Sequence, residues 1–80
     1  MKNNRTNCGV VDLTADFLCR AKEKQRYNRT AIGVINHAPQ IGQLLAVNGE
    51  LFRSGGSYIP VYVQAEIRSY AASLNLSAKL

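Results

Sequence analysis

The sequence has few of the residues from which active sites are usually built. It contains one histidine and five Asp or Glu residues. No pair of acids, Ser-His-Asp set or Cys-His set is visible in it. Its six glycines form no phosphate-binding motif of the GxxxxGK type. We therefore do not expect an enzyme, and we predict no cofactor and no small-molecule ligand.

Cysteine is also scarce. Cys8 and Cys19 allow one bridge, which is too little for a disulfide framework. Together with His37 they supply three zinc ligands at no familiar spacing, where a structural site needs four. The sequence predicts reduced thiols, a cytoplasmic location and no metal site.

Long hydrophobic runs are absent. The longest nearly apolar run, residues 58–63, is far shorter than the roughly 20 residues of a membrane span. The N-terminus is charged and lacks the apolar segment of a signal peptide. With 46% hydrophobic and 19% charged residues, the 80-residue chain has the composition of one small folded domain. We expect a soluble protein with no membrane partner.

Positive charge is abundant and unevenly distributed. The net charge is +5, and residues 20–29 (RAKEKQRYNR) hold five of the ten Lys and Arg residues with a single acid. A basic end on a small domain is typical of a nucleic-acid-binding protein. The alternative is a solvated helix end, since basic side chains also complement the dipole at a helix C-terminus.

Periodicity predicts an all-α domain of four helices. We expect a flexible arm over 1–11, a helix-turn-helix domain over 12–76 and a C-terminal tail over 77–80. Asp12 is a candidate cap for a helix over 12–25, and Asn28 is a candidate cap for the next one. Two short helices then fill 28–48, with Asn48-Gly49 as a left-handed cap.

The segment after Gly49 is open to two interpretations. We predict a loop over 49–59 and a final helix over 60–75, because Pro60 is favourable at a helix start and unfavourable in a strand. The alternative is a winged helix-turn-helix, with a hairpin at 50–63 that forms the wing.

The central segment has the pattern of a helix-turn-helix. Ala31 is small where two helices would cross, and Val34, Ile41 and Leu44 supply apolar contacts at suitable offsets. With the run Thr30-Ala-Ile-Gly33 and the later Asn36, Pro39 and Gly49, residues 12–49 resemble the lambda-repressor-like regulators of phages and bacteria. The usual glycine of the turn is replaced by Ile35-Asn36, so Asn36 would have to adopt the left-handed conformation.

This resemblance implies a regulator that binds double-stranded DNA and represses transcription as a homodimer on a palindromic operator. It makes residues 38–47 the recognition helix. Glutamine pairs well with adenine, so the implied base contacts on the outer face of this helix are Gln40 and Gln43. At its entrance, His37 and Asn36 are the other implied base contacts. The implied contacts to the DNA backbone are Arg29, Thr30, Arg53, Arg26, Lys2 and Arg5.

The last helix carries more apolar residues than a thin core needs. We predict that it forms the homodimer interface, through Tyr62, Tyr70, Leu74 and Leu76. The alternative function is a small inhibitor or adaptor of phage or plasmid type that binds a protein and no nucleic acid. RNA is a weaker candidate, because no aromatic platform with the spacing for base stacking is visible.

Overall fold

A computed structural model describes residues 9–80, and its fold is mixed α/β rather than all-α. Four helices accompany a four-stranded sheet of order β1-β2-β3-β4, antiparallel except for the last pair. In chain order the elements are β1 (Val10–Asp12), α1 (Thr14–Lys24), α2 (Arg29–Asn36), α3 (Ala38–Ile41), β2 (Gln43–Val47), β3 (Glu50–Ser54), α4 (Val61–Ser73) and β4 (Ser77–Lys79).

The hairpin of β2 and β3 is the element that the all-α prediction missed. Asn48 and Gly49 have φ values of 51° and 77° and join strands paired from Val47↔Glu50 to Gln43↔Ser54. Two successive positive φ values are what a two-residue hairpin turn requires, and Asn-Gly supplies them most readily. The predicted recognition helix over 38–47 and the predicted loop over 49–59 are therefore wrong.

The alternative hairpin at 50–63 is also wrong. Residues 50–54 do form a strand, but their partner in the hairpin is the preceding segment 43–47, and residues 56–60 are irregular. Each strand of the observed hairpin places one leucine in the core, since Leu44 and Leu51 are completely buried, and the polar pair Gln43 and Ser54 occupies its open end.

Both ends of the described segment, residues 9–80, join the sheet. Residues 10 and 11 of the predicted arm belong to β1, which pairs with β2, and the predicted tail contributes β4, which pairs with β3. Residues 1–8 of the predicted arm, including Lys2 and Arg5, lie outside the described residues.

Three predicted helices are present. The helices expected over 12–25 and 60–75 correspond to α1 and α4, and Asn28 caps α2 by accepting the backbone N–H of Thr30 at 2.9 Å. Asp12 ends β1 instead of entering α1, and its carboxylate accepts the backbone N–H and the hydroxyl of Thr14 at 2.9 and 2.6 Å. These two bonds lower the pKa of Asp12.

The core joins the helices to the hairpin. Leu13 donates its backbone N–H to the carbonyl of Leu44, and Leu44 donates its own to the hydroxyl of Thr14, each at 2.8 Å, which ties the start of α1 to β2. The side chains buried in the core are those of Phe17, Ala21, Ala31, Val34, Ile41, Leu44, Leu51, Ile59, Val63, Ile67, Tyr70 and Ala71. Within residues 9–80, no helix is both long enough and apolar enough to span a bilayer.

Candidate nucleic-acid interface

The helices α1 and α2 form a closely connected pair. Residues 25–28 join them, and the backbone N–H groups of Gln25 and Asn28 still donate to the carbonyls of Ala21 and Lys24 at 3.0 and 2.8 Å. The connection between α1 and α2 is therefore short and hydrogen-bonded to α1, and α2 starts at the Asn28 cap. Two helices joined by such a short turn are the element that helix-turn-helix proteins dock against DNA, with the second helix in the groove.

The outward face of α2 consists of its exposed residues, Arg29, Ile32 and Asn36. Their offsets of three and four residues align them along one side of the helix. Ala31 and Val34, which are 2% and 1% exposed, occupy the opposite side. We call Arg29, Ile32 and Asn36 the outer stripe of α2. It presents a guanidinium, an aliphatic side chain and an amide to the outside.

Two of the five basic residues in segment 20–29 have carboxylate partners. Arg20 Nε lies 3.0 Å from Asp16 Oδ2, and Lys24 Nζ lies 3.5 Å from Glu66 Oε1. These pairs are at least partly exposed, so they contribute little to stability, but they reduce the positive field around them.

The other three, Lys22, Arg26 and Arg29, are exposed and have no carboxylate within ion-pair distance in the part of the chain that the structure describes. They follow one another from the last turn of α1, across the connection, to the first residue of α2. Lys22 and Arg26 therefore add unpaired positive charge to the segment that leads to Arg29, the first residue of the outer stripe.

Contacts from α4 hold the C-terminal half of α2. The ring of Tyr62 covers Gly33, where a Cβ atom would lie 2.5 Å from the tyrosine oxygen. His37 follows the last turn of α2, and its Nδ1 donates to the carbonyl of Gly33 at 2.8 Å. The Tyr62 and His37 rings meet edge to face at 6.0 Å between centroids. His37, a predicted base contact, is thus half-buried and engaged within the protein.

Gln40 and Gln43 do not share a face. Gln40 is half-buried in the single turn of α3, and its buried side-chain Oε1 has no hydrogen-bond partner among residues 9–80. Gln43 is exposed on β2, where its Nε2 lies 3.5 Å from Asp12 Oδ2. The helix α3 ends at Ile41 and β2 begins at Gln43, so the two amides that the resemblance assigned to one recognition helix lie on different elements.

The guanidinium of Arg53 donates its hydrogen bonds to backbone carbonyls within the protein. Its Nε donates to the carbonyl of Ile41 at 3.1 Å, and one terminal nitrogen donates to the carbonyls of Gln40 and Ser57 at 3.1 and 2.5 Å. These bonds satisfy carbonyl groups around the end of α3. Thr30, the other implied backbone contact in α2 besides Arg29, is half-buried behind the Asn28 cap.

The residues predicted for the dimer interface are mostly turned inward. Tyr70 is 7% exposed and donates its hydroxyl to Asp16 Oδ2 at 2.5 Å. This bond, with a smaller contribution from Arg20, lowers the pKa of Asp16. Leu74 and Leu76 are half-buried against the core, and Tyr62 is 41% exposed.

The resemblance implied Arg29 as a contact to the DNA backbone and Asn36 as a base contact, and the predicted site residues did not include Ile32 or Lys22. The signal for Ile32 was present: Ala31 and Val34 define the buried side of α2, which leaves residue 32 outside. Lys22 belonged to the recognised basic segment, but only the ion pairs of the folded chain separate it from Arg20 and Lys24.

Comparison of the chain with models of protein families, with curated proteins and with solved structures found no match. A functional assignment therefore has to come from the residues and geometry of this chain itself.

Proposed function

We propose that this protein binds double-stranded DNA sequence-specifically and regulates transcription, with α2 as the helix that enters the major groove. The observation that carries the proposal is the outer stripe of α2, Arg29, Ile32 and Asn36, which the unpaired cations Lys22 and Arg26 precede along the chain. An exposed isoleucine on a capped helix between a guanidinium and an amide is a poor solvent face, but it suits the mixed polar and methyl surface of a major groove.

The cations next to the stripe supply the affinity for DNA that does not depend on sequence. Lys22 lies in the last turn of α1, and Arg26 lies in the connection that leads to α2. Each phosphate that they neutralise releases condensed counterions, so binding weakens as salt rises. Phosphate contacts of this kind set the register of the helix in the groove, and base contacts then add specificity.

A single helix of the length of α2 reads only a short stretch of DNA. Regulators of this type gain specificity by binding as dimers to two half-sites about one helical turn apart. We therefore propose a homodimer on a palindromic operator, acting as a repressor in the cytoplasm. Sedimentation at tens of micromolar protein, with and without operator DNA, tests the dimer.

The test of DNA binding is a titration of random-sequence duplex DNA at several salt concentrations. We expect the wild type to lose affinity steeply with salt, and Arg26→Ala to reduce the slope of log K against log salt by about 0.9. Lys79→Ala is the matched control, because Lys79 is an exposed cation on β4 that pairs with Glu50, away from α2. An equal change in both variants would contradict the proposed interface.

A second candidate function is supported by a different surface. Tyr58 and Val61 are 79% and 75% exposed near the start of α4, beside the half-exposed Tyr62. Exposed apolar side chains of this density also occur where a protein partner binds. Absence of any salt-sensitive DNA binding by the wild type would favour this protein-binding function over the regulator.

A further inference from the structure

The outer stripe of α2 has the length and chemistry to read a short sequence. An α-helix rises about 1.5 Å per residue, so Ile32 lies about 4.5 Å and Asn36 about 10.5 Å beyond Arg29 along the axis. Base pairs in DNA are about 3.4 Å apart, so the stripe spans about three base-pair steps. Three side chains are thus spread over about four base pairs.

Each member of the stripe matches a different base edge. A guanidinium donates two hydrogen bonds to guanine O6 and N7, and an asparagine amide pairs with adenine N6 and N7. An aliphatic side chain discriminates by contact with the thymine methyl group. The three side chains of the outer stripe therefore prefer three different bases.

The rest of α2 does not compete for this role. Ala31 and Val34 are buried, and Gly33 has no side chain and is covered by Tyr62. Thr30 and Ile35 are half-buried. The same packing holds the helix, because the Asn28 cap anchors its start and Tyr62 bears on its middle. A helix held at both points presents the stripe at a constant angle, which discrimination between bases requires.

We propose that α2 reads a half-site of about four base pairs, with guanine at the Arg29 end, adenine at the Asn36 end and a thymine methyl beside Ile32. This inference rests on the proposed DNA-binding function and names the sequence class that the same site takes. Arg29 and Asn36 are its specificity-determining residues.

The test is selection from a random duplex library with the full chain, followed by binding to the selected site. We expect Asn36→Ala to lose the preference for adenine at one position and to bind the selected site about 5- to 150-fold more weakly, while its binding to random DNA is nearly unchanged. Arg29→Ala should lose the guanine preference at a position about three steps away. Ile32→Ala should relax discrimination at a thymine between them.

Gln43→Ala is the matched control, since Gln43 is an exposed amide on β2 and not on the stripe. Its selected sequence should equal that of the wild type. The stripe residues are exposed, so unchanged thermal unfolding of the variants will show that they fold.

Two outcomes would overturn the inference, and they are distinguishable. If the wild type selects a site and Asn36→Ala selects the same one with equal affinity, the assignment of the bases is wrong and DNA binding stands. If the wild type shows no salt-sensitive binding to any duplex, the proposed function itself falls, and the half-site with it.

Discussion

The ring of Tyr62 on α4 occupies the space above Gly33 on α2, so closely that a Cβ atom at residue 33 would lie 2.5 Å from the tyrosine oxygen and 2.6 Å from Cε2. Gly33 has ordinary helical φ, so the reason for glycine here is space and not backbone conformation. A glycine inside a helix costs about 0.5–1 kcal/mol relative to alanine. In return, the absence of a side chain at Gly33 lets α4 pack closely against α2 through Tyr62.

The Gly33–Tyr62 contact predicts a non-additive pair of substitutions. In a Tyr62→Ala background, Gly33→Ala should stabilise the protein by about 0.5–1 kcal/mol, because the methyl group has room and the helix gains propensity. In the wild-type background the gain should vanish, since Tyr62 must rotate away from its contact with His37. Urea unfolding of the four variants gives the coupling energy, and equal effects in both backgrounds would contradict the contact.

Gly42 should be far less tolerant of alanine than Gly49. Gly42 has φ 76° and ψ −136°, and a Cβ there would overlap the Ser54 carbonyl oxygen and lie 2.5 Å from the Gly56 nitrogen, both backbone atoms. We expect Gly42→Ala to cost about 3 kcal/mol or more, from backbone strain and overlap together.

The matched control for that substitution is Gly49→Ala. Gly49 has φ 77° but open space around its Cβ position, so alanine should cost only the left-handed strain of about 1–2 kcal/mol. Denaturant unfolding compares the two variants. Similar losses would show that the Gly42 backbone can move away from Gly56.

Arg53 should matter for folding more than for DNA. Its guanidinium donates to the carbonyls of Gln40, Ile41 and Ser57, and hydrogen bonds to a charged group contribute about 1.5–3 kcal/mol. We expect Arg53→Ala to lower the free energy of unfolding by about 2–4 kcal/mol. The salt slope of DNA binding by the folded variant should stay that of the wild type. A lower slope with unchanged stability would restore Arg53 as a phosphate contact.

The Tyr70–Asp16 bond predicts how stability varies with acid. Accepting the Tyr70 hydroxyl lowers the pKa of Asp16 below its ordinary 3.8 in the folded state. The stability that this bond supplies is therefore fully present above pH 3.8 and is lost as the pH falls through the lowered folded value. In Tyr70→Phe this part of the acid loss should disappear. Hydrogen bonds from Thr14 also lower the pKa of Asp12, so Asp12 should still cause its own loss of stability in acid.

The same bond acts in the opposite direction at high pH. Burial, and then the hydrogen bond to Asp16, raise the pKa of Tyr70 well above its ordinary 10.0. The stability that the protonated Tyr70 hydroxyl contributes is complete below pH 10.0 and is lost as the pH rises toward the raised pKa of the folded state. Thermal unfolding from pH 2 to 11 should show both losses in the wild type and a flatter profile for Tyr70→Phe. Parallel profiles would contradict the bond.

The helical part of the fold was predictable from local signals. Asn28 caps α2 as expected, because an N-cap needs only a backbone N–H two residues away. The stripe of Leu13, Phe17 and Ala21 marked α1, because residues three and four apart meet on a helix regardless of the rest of the chain. The basic segment 20–29 followed from counting charge, whereas Arg29 and Asn36 were named only through the resemblance, as a contact to the DNA backbone and a base contact.

The hairpin was misread because its sequence satisfies two local patterns. Ile41, Leu44 and Leu45 fit a helical face, and Asn48-Gly49 fits a helix end as well as a two-residue hairpin turn. The strands form because distant segments complete the sheet: β1 pairs with β2 from more than 30 residues away, and β4 pairs with β3. No window of neighbouring residues contains those partners.

By itself, then, the sequence determined α1, α2 and α4, the Asn28 cap and the concentration of positive charge, because helix hydrogen bonds join residues four apart and charge can be counted. Tertiary structure alone decided that residues 43–54 are a hairpin and that α2 presents the outer stripe. It also decided that the side chains of Arg53 and Tyr70 make their hydrogen bonds within the protein. Those outcomes depend on backbone partners and on burial that come from elements far apart in the chain.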